Sequence, residues 1–469
     1  MLNKYDYLVI GGGPGGTPTA MALANADKQV LLVEKGQGLG GTCLFEGCIP
    51  SKILRESARR LREIREADDF GLCLPAWDVH IDWSAIQERK DALLYLRSTD
   101  AMQRIQQIPT LDIIFGTATL LDATHARISP YTKNPDNIEF DKVIIATGST
   151  PFQPPIKGIE EHYVMGSEEI LEINHVPKKL VVIGAGPIGV EFGQIFNTFG
   201  CEVSLLEAGP HILAQADPEL AEQLQRKMLE ENIHIITNCH VERISHSGGG
   251  VFVEYRNKAD EAAHHFANTV LVVTGRRPNV EGLGLEKTAV QHGVRGIEVN
   301  AKLQTSEPNI FAVGDVIGQP MFAHWATAQG LALAKNLLGQ PVPFPDKDTN
   351  SAVIFSEPEL GMVGLTEAQA DASGINHKTA RYYFSQDARA QIANRAAGLL
   401  KIIYEQDSHK VIGIHVLVEG AGDLMGEAAL AIKAGVSLEA LAGSIHPHPT
   451  LAESFALAAR AALAEESLP

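Results

Sequence analysis

With 469 residues, 45% of them hydrophobic and 20% charged, the chain is a folded globular protein too long for a single core, and roughly two to four domains are expected. A formal net charge of −18 excludes a nucleic-acid partner, which calls for a basic face. Five cysteines are too few for a secreted disulfide framework, and no apolar run approaches the roughly 18 to 20 residues of a membrane span.

The first residues, MLNKYDYLVI, lead straight into an apolar strand without the charged and cleavable features of a secretory leader, so a cytoplasmic protein is expected. That strand, Tyr7-Leu8-Val9-Ile10, is followed at once by Gly11-Gly12-Gly13-Pro14-Gly15-Gly16. A second apolar strand, Val30-Leu31-Leu32-Val33, ends in Glu34. Strand, G-x-G-x-x-G, helix, strand and acid together make a dinucleotide-binding fingerprint. Gly11, Gly13 and Gly16 let the backbone approach a pyrophosphate at a helix start, and Glu34 can accept hydrogen bonds from a ribose. Pro18 forfeits a bond to the carbonyl of Pro14, which predicts a slight kink.

Next comes Gly40-Gly41-Thr42-Cys43-Leu44-Phe45-Glu46-Gly47-Cys48-Ile49-Pro50-Ser51-Lys52. In a regular helix, residues five apart have Cα atoms about 8 to 9 Å apart, whereas a disulfide needs roughly 4.4 to 6.8 Å. If Cys43 and Cys48 bond, the backbone between them must leave helical geometry, which Gly47 permits and Pro50 assists. Two buried thiols that never meet would satisfy the same spacing. Arg55 to Glu66 alternates charge and reads as a solvated helix face.

The opening pattern then returns. Leu180-Val181-Val182-Ile183 leads into Gly184-Ala185-Gly186-Pro187-Ile188-Gly189, and Val203-Ser204-Leu205-Leu206 ends in Glu207. The differences 184 − 11 and 207 − 34 are both 173, so the copies are in register. One such motif is weak evidence; two in full context point to two Rossmann-type units holding two dinucleotides. Val143 to Gly148, with Thr147 before its glycine, and Leu271 to Gly275 are buried-type strands that close each unit. Ile310 to Asp315 is a further strand, with its carboxylate at the sheet edge that faces a ligand in open α/β folds. From about Ser351 alternating strands and alanine-rich helices describe a separate α+β domain. It closes on His446-Pro447-His448-Pro449-Thr450-Leu451-Ala452-Glu453, where His448 and Glu453 are a candidate base and orienting acid. Cys73, Cys201 and Cys239 read as isolated thiols of a reducing compartment.

Between Asp6 and about Phe455 the chain resembles the flavin-dependent pyridine nucleotide–disulfide oxidoreductases: GGTCLxxGCIPSK, the paired fingerprints, ATGS, TGRRPN, FAVGD and HPHPTLAE occur in that family's order. The resemblance implies an α/β fold of two Rossmann-like dinucleotide-binding domains plus a C-terminal α+β dimerisation domain. It divides the chain into an FAD-binding domain (1–149), an NAD-binding domain (150–276), a second FAD-binding or central part (277–348) and an interface domain (349–469). Gly11, Gly13, Gly16 and Glu34 would hold FAD, with Asp315 on its ribityl chain and Gly116, Thr147, Gly148 and Ala323 also at the cofactor. Gly184, Gly186, Gly189, Glu207 and Gly275 would hold NAD. Cys43 and Cys48 would form the redox disulfide, Cys43 exchanging with substrate and Cys48 against the flavin, where Lys52 would pair with Glu191. His448 and Glu453 would come from the partner subunit of a homodimer. The implied reaction oxidises a dihydrolipoyl group on a lipoyl-carrying protein and reduces NAD⁺.

Two departures stand out. Phe45-Glu46 replaces the family's usual Asn-Val; a carboxylate there raises thiolate pKa values if it points inwards, and does not if it faces solvent or a substrate domain. Trp325 stands where a polar residue is common. Mercuric reductase shares GCxPSK but normally ends with a cysteine pair, and the closing AEESLP has none. A redox-sensing scaffold without turnover is a further alternative, one that has no need of the His448–Glu453 pair.

Overall fold

The computed structural model describes residues 3–73 and 79–466; residues 1–2 and 467–469, on which the readings of the two chain ends partly fall, lie outside it. The fold comprises two compact units. One spans residues 1–154, 166–175 and 274–345, the other 155–165, 176–273 and 346–469.

In the first unit, strand β1 (Asn3–Ile10) lies between β2 (Val30–Glu34) and the strand Asp136–Ile145, parallel to both. Leu111–Leu120 joins β2 and Ile310–Ala312 joins Asp136–Ile145, also in parallel, completing the nucleotide-type strand order. Both faces are covered, which is why these strands read as unbroken apolar runs. Val9, Leu32 and Ile144 pack on one face with Leu23 of helix α1 (Gly16–Ala24) and Leu333 of the helix Ala323–Leu337. Leu8, Ile10, Leu31 and Val143 fill the other face with Leu283 and Leu285.

Pro18 stands in the first turn of α1 and has no N–H to give the Pro14 carbonyl, although Thr17 before it bonds the Gly13 carbonyl at 3.0 Å; the Pro14 carbonyl accepts instead from the Thr327 hydroxyl at 2.9 Å.

Helices α2 (Gly41–Phe45) and α3 (Cys48–Arg65) follow, covered by α4 (Trp83–Gln106) through Leu44, Ile53 and Leu94. On α3, Arg59 and Arg60 pair with Glu56 and Glu63 at helical spacing, as the alternating charge suggests.

The second unit repeats the first's order over four strands, His234–Ile236, Glu202–Leu206, Lys179–Ile183 and Thr269–Val272, and Val164–Met165, which precedes them in the chain, completes the parallel sheet. Helix α5 (Pro187–Thr198) stands where α1 stands in the first. Its C-terminal part is an antiparallel five-stranded sheet with Val411–Val418 and Leu399–Glu405 inside. Leu400, Ile402, Ile414 and Val416 pack on the helices Ala421–Ala434 and Glu453–Glu466, while Lys401 and His415 sit opposite each other on the other face. Among the described residues no helix is long and apolar enough to cross a membrane.

Candidate functional site

The two fingerprints have the same local build. Gly11 and Gly184 adopt φ of 106° and 105°, a region side chains disfavour. A Cβ at Gly16 would lie 1.8 Å from the Gly11 carbonyl oxygen, and one at Gly189 would lie 2.0 Å from that of Gly184. First and third glycines therefore close the turn against each other. The middle glycines are open: a Cβ at Gly13 would meet nothing nearer than the Gly41 Cα at 3.9 Å, and one at Gly186 would meet nothing within 4 Å. That opening at a helix start is the space a pyrophosphate needs.

The carboxylates repeat too. Glu34 accepts from the backbone N–H of Gly12 and of Gly36, both at 2.5 Å. Glu207 accepts from Ala185 and Gly209, both at 2.7 Å, the positions 173 further on. A carboxylate offers about four lone-pair sites, so each glutamate is fixed by two backbone donors and keeps acceptor capacity for ribose hydroxyls. The residues present fit two dinucleotides.

Within the first unit the segments around Thr147 and Asn279 interlock. Thr147 donates its hydroxyl to the Asn279 carbonyl at 2.7 Å, and Asn279 returns its amide to the Thr147 carbonyl at 3.1 Å and its backbone N–H to Gly148 at 2.9 Å. Asp315, in the short turn after Ile310–Ala312, accepts from the Ser149 hydroxyl at 2.6 Å. Arg276, beside Gly275, donates from Nε to the same hydroxyl and from Nη2 to the Ser149 carbonyl, each at 2.8 Å. Ala323 begins the helix that packs on α1. Gly116 has a packing reason of its own: a Cβ there would lie 2.3 Å from the Ser129 carbonyl of the adjacent strand.

The cysteine segment leans on the first fingerprint. Gly40 donates to the Gly12 carbonyl at 2.9 Å, and a Cβ at Gly41 would come within 2.9 Å of the Gly13 Cα. The paired glycines are thus required by close approach. Gly47, at φ −156° and ψ −102°, separates α2 from α3, so the backbone between the cysteines leaves helical geometry as the spacing demands. Cys48 opens the 18-residue α3, where the helix dipole favours negative charge. Cys43 is half-buried and Cys48 exposed. A hydrogen bond to Cys48 and burial push the Cys43 thiol up, against the charges of Lys52, one turn along α3, and Arg97 on α4. Glu46 is exposed and Phe45 packs beside Leu44, so the departure from Asn-Val resolves in the solvent-facing direction. The Glu46 charge bears instead on Glu168, whose carboxyl is raised by burial first and Glu46 second.

In the second unit, buried Glu191 on α5 accepts from the Phe355 backbone at 2.9 Å. His448 is exposed, its Nδ1 3.0 and 3.2 Å from the two Glu453 oxygens. The Thr450 backbone N–H and then His448 hold the Glu453 carboxyl below its usual range. That pair is therefore preformed, with Nδ1 engaged by Glu453. Next to it, His446 Nε2 meets Glu427 at 2.9 Å, a contact with no signal in the local sequence. Trp325 is buried in its helix.

Known proteins share these features over nearly the whole chain. Residues 5–330 match the model of the pyridine nucleotide-disulphide oxidoreductase family, and residues 350–459 match that family's dimerisation domain. A dihydrolipoyl dehydrogenase of Bacillus subtilis strain 168 is 36% identical over 460 residues, covering 98% of this chain and 96% of its own. The Staphylococcus aureus dihydrolipoyl dehydrogenase is 35% identical over 459 residues, with the same coverage. Among solved structures, the Cu(II) complex of the HOCl-induced flavoprotein disulfide reductase RclA from Escherichia coli superposes with a TM-score of 0.88 at 28% identity, covering 98% of this chain and 100% of that one.

Proposed function

The chain belongs to the pyridine nucleotide–disulphide oxidoreductase family, and from that premise we propose that it oxidises dihydrolipoyl groups carried on a protein, passing their electrons to NAD⁺ through a Cys43–Cys48 disulfide. It is an enzyme of the dihydrolipoyl dehydrogenase type and uses FAD and NAD. The observation that carries the reading is the cysteine pair across the α2–α3 junction, in a segment seated on the first of two in-register fingerprints.

In the proposed mechanism His448, oriented by Glu453, takes a proton from one substrate thiol on Nε2. The resulting thiolate attacks Cys43 Sγ; the Cys43–Cys48 bond breaks and Cys48 leaves as a thiolate. The second substrate thiol then displaces Cys43, its proton passing to the departing Cys43 sulfur, so the substrate departs as a cyclic disulfide and the cysteine pair holds two more electrons. Lys52 and the α3 N-terminus stabilise negative charge at the pair. FAD, when bound, supplies the two-electron relay from the cysteines to NAD⁺. Lys52 would be paired with Glu191, and the NAD would lie on Gly184, Gly186, Gly189, Glu207 and Gly275. A homodimer supplying His448 from the partner, and a cytoplasmic setting in which Cys201 and Cys239 remain thiols, belong to the same reading. The dimerisation-domain match supports the homodimer.

The test is purification of a yellow protein followed by one equivalent of dihydrolipoamide. A long-wavelength thiolate-to-flavin absorption band is expected, then NAD⁺-dependent turnover. A colourless protein that takes up no flavin sinks the reading; flavin binding without dithiol turnover limits it to another disulfide substrate.

A further inference from the structure

Ser149 and Arg276 lie 127 positions apart, yet they form one chain of hydrogen bonds that ends on Asp315. Its direction follows from donor chemistry. A guanidinium only donates, so the Ser149 oxygen accepts from Arg276 Nε at 2.8 Å. A hydroxyl has one hydrogen, and at 2.6 Å that hydrogen goes to Asp315 Oδ2. Arg276 Nη2 binds the Ser149 carbonyl at 2.8 Å as well, so the planar fork grips one residue at two points and fixes its rotation. Ser149 is buried and Arg276 largely so, and the outer side of the guanidinium faces Glu168 at 4.0 Å. The chain joins the residues after both closing strands, already interlocked through Thr147 and Asn279, to the carboxylate after the third.

We propose that Ser149 and Arg276 are positioning residues for FAD: the Arg276 fork sets the Ser149 hydroxyl, which in turn holds Asp315 as a fixed acceptor for a ribityl hydroxyl. This rests on the reading that the first unit binds FAD. Asp315 is aimed before the cofactor arrives, and one of its lone-pair sites is spent on Ser149 while others remain for the ligand. The buried arrangement makes the aim rigid, because a rotated Asp315 would leave the Ser149 hydroxyl without its acceptor.

The experiment measures FAD dissociation from the holoenzyme by recovery of flavin fluorescence on dilution, a readout independent of turnover. Ser149→Ala should raise the dissociation constant about tenfold or more, the scale of one hydrogen bond to a charged group. Ser149→Thr, which keeps the hydroxyl, should restore it to within about threefold. In an Asp315→Asn background the effect of Ser149→Ala should shrink to less than about threefold, since Ser149 acts through that carboxylate. Equal effects in both backgrounds, or a Ser149→Ala constant within about twofold of wild type, overturn the proposal. If Ser149→Ala does not fold, Arg276→Lys takes its place in the same cycle, keeping the charge facing Glu168 and losing the fork, and the same two results support or overturn the proposal. A wild-type protein that binds no FAD overturns the parent reading along with this one; failure confined to the variants overturns this one alone.

Discussion

Glu207 follows its strand with each carboxylate oxygen fixed by a backbone N–H, which leaves further lone-pair sites for the hydroxyls of a ribose. The residues that follow, Ala208-Gly209-Pro210-His211, bring no arginine or lysine to a 2′-phosphate, and His211 Nδ1 is turned to its neighbour's carbonyl at 2.8 Å. NADP⁺ would lose a hydrogen bond to a charged group, worth about 1.5 to 3 kcal/mol, and add like-charge repulsion. At about 1.4 kcal/mol per tenfold, NAD⁺ should be preferred by at least about ten- to a hundredfold in kcat/KM. Steady-state lipoamide reduction with NADH and with NADPH measures it; equal specificity constants would show that Glu207 does not read the ribose. Glu34 and Glu207 are legible in the sequence because a local motif fixes the place of each. Ser149 and Arg276 are not, since their role exists only where strands more than a hundred residues apart converge. The orientation of Glu46 is equally hidden: sequence states that a carboxylate stands between the cysteines, and the α2–α3 junction decides that it faces solvent.

Elements were legible where their pattern is strong and obscure where tertiary packing supplies it. The parallel strands announce themselves because both faces are covered. Helix α4 escapes notice, burying chiefly Trp83, Lys90, Leu94 and Ile105 while leaving Tyr95 and Leu96 exposed; its one local signal is Asp82, which caps it by accepting from Ala85 at 3.0 Å. A buried charge cluster in the second unit is likewise a product of convergence. Lys401 meets Asp217 at 2.8 Å and Glu219 at 3.1 Å, and also pairs with Glu367, which Arg381 contacts at 3.1 Å. It ties the start of the helix Pro218–Glu230 to the strands His377–Tyr383 and Leu399–Glu405. Burial pushes the Glu367 carboxyl up, but bonds from Lys401 and Thr379 and the charges of Lys401 and Arg381 outweigh it and hold the group at about 2. A depressed folded-state value means that the contribution is present above the ordinary carboxylate range, near 4.5, and is lost as pH falls from there towards 2. Glu367→Gln should therefore lower stability at pH 7 by about 1 to 2 kcal/mol, allowing for the group's partial exposure. Thermal unfolding of both proteins from pH 7 to pH 3.5 should show the gap narrowing below about pH 4.5. A gap unchanged across that range would mean that Glu367 acts by packing rather than by charge.

For the whole molecule, the question is what completes the site around His448. The His448–Glu453 pair is preformed yet open, the His448 side chain being 72% exposed. Ile445, three residues before it, is 96% exposed, and Leu430 and Leu457 on the flanking helices are exposed as well. Exposed apolar side chains on this C-terminal part are what a second copy would cover, and the family's dimerisation domain matches here. If His448 serves the cysteines of its partner, a chain lacking Cys43 and a chain lacking His448 are each inactive as homodimers for different reasons. In a mixed dimer one site joins the intact Cys43 of the His448→Ala chain to the intact His448 of the Cys43→Ser chain, and the other site lacks both groups. Isolated heterodimers, separated by two different affinity tags, should recover about half of the wild-type dihydrolipoamide activity per dimer, one working site of two. Activity of the mixed dimer no higher than that of its parents would place His448 at the cysteines of its own chain. Dilution supplies an independent reading: where the base comes from the partner, specific activity falls as dimers dissociate while flavin remains bound to each chain.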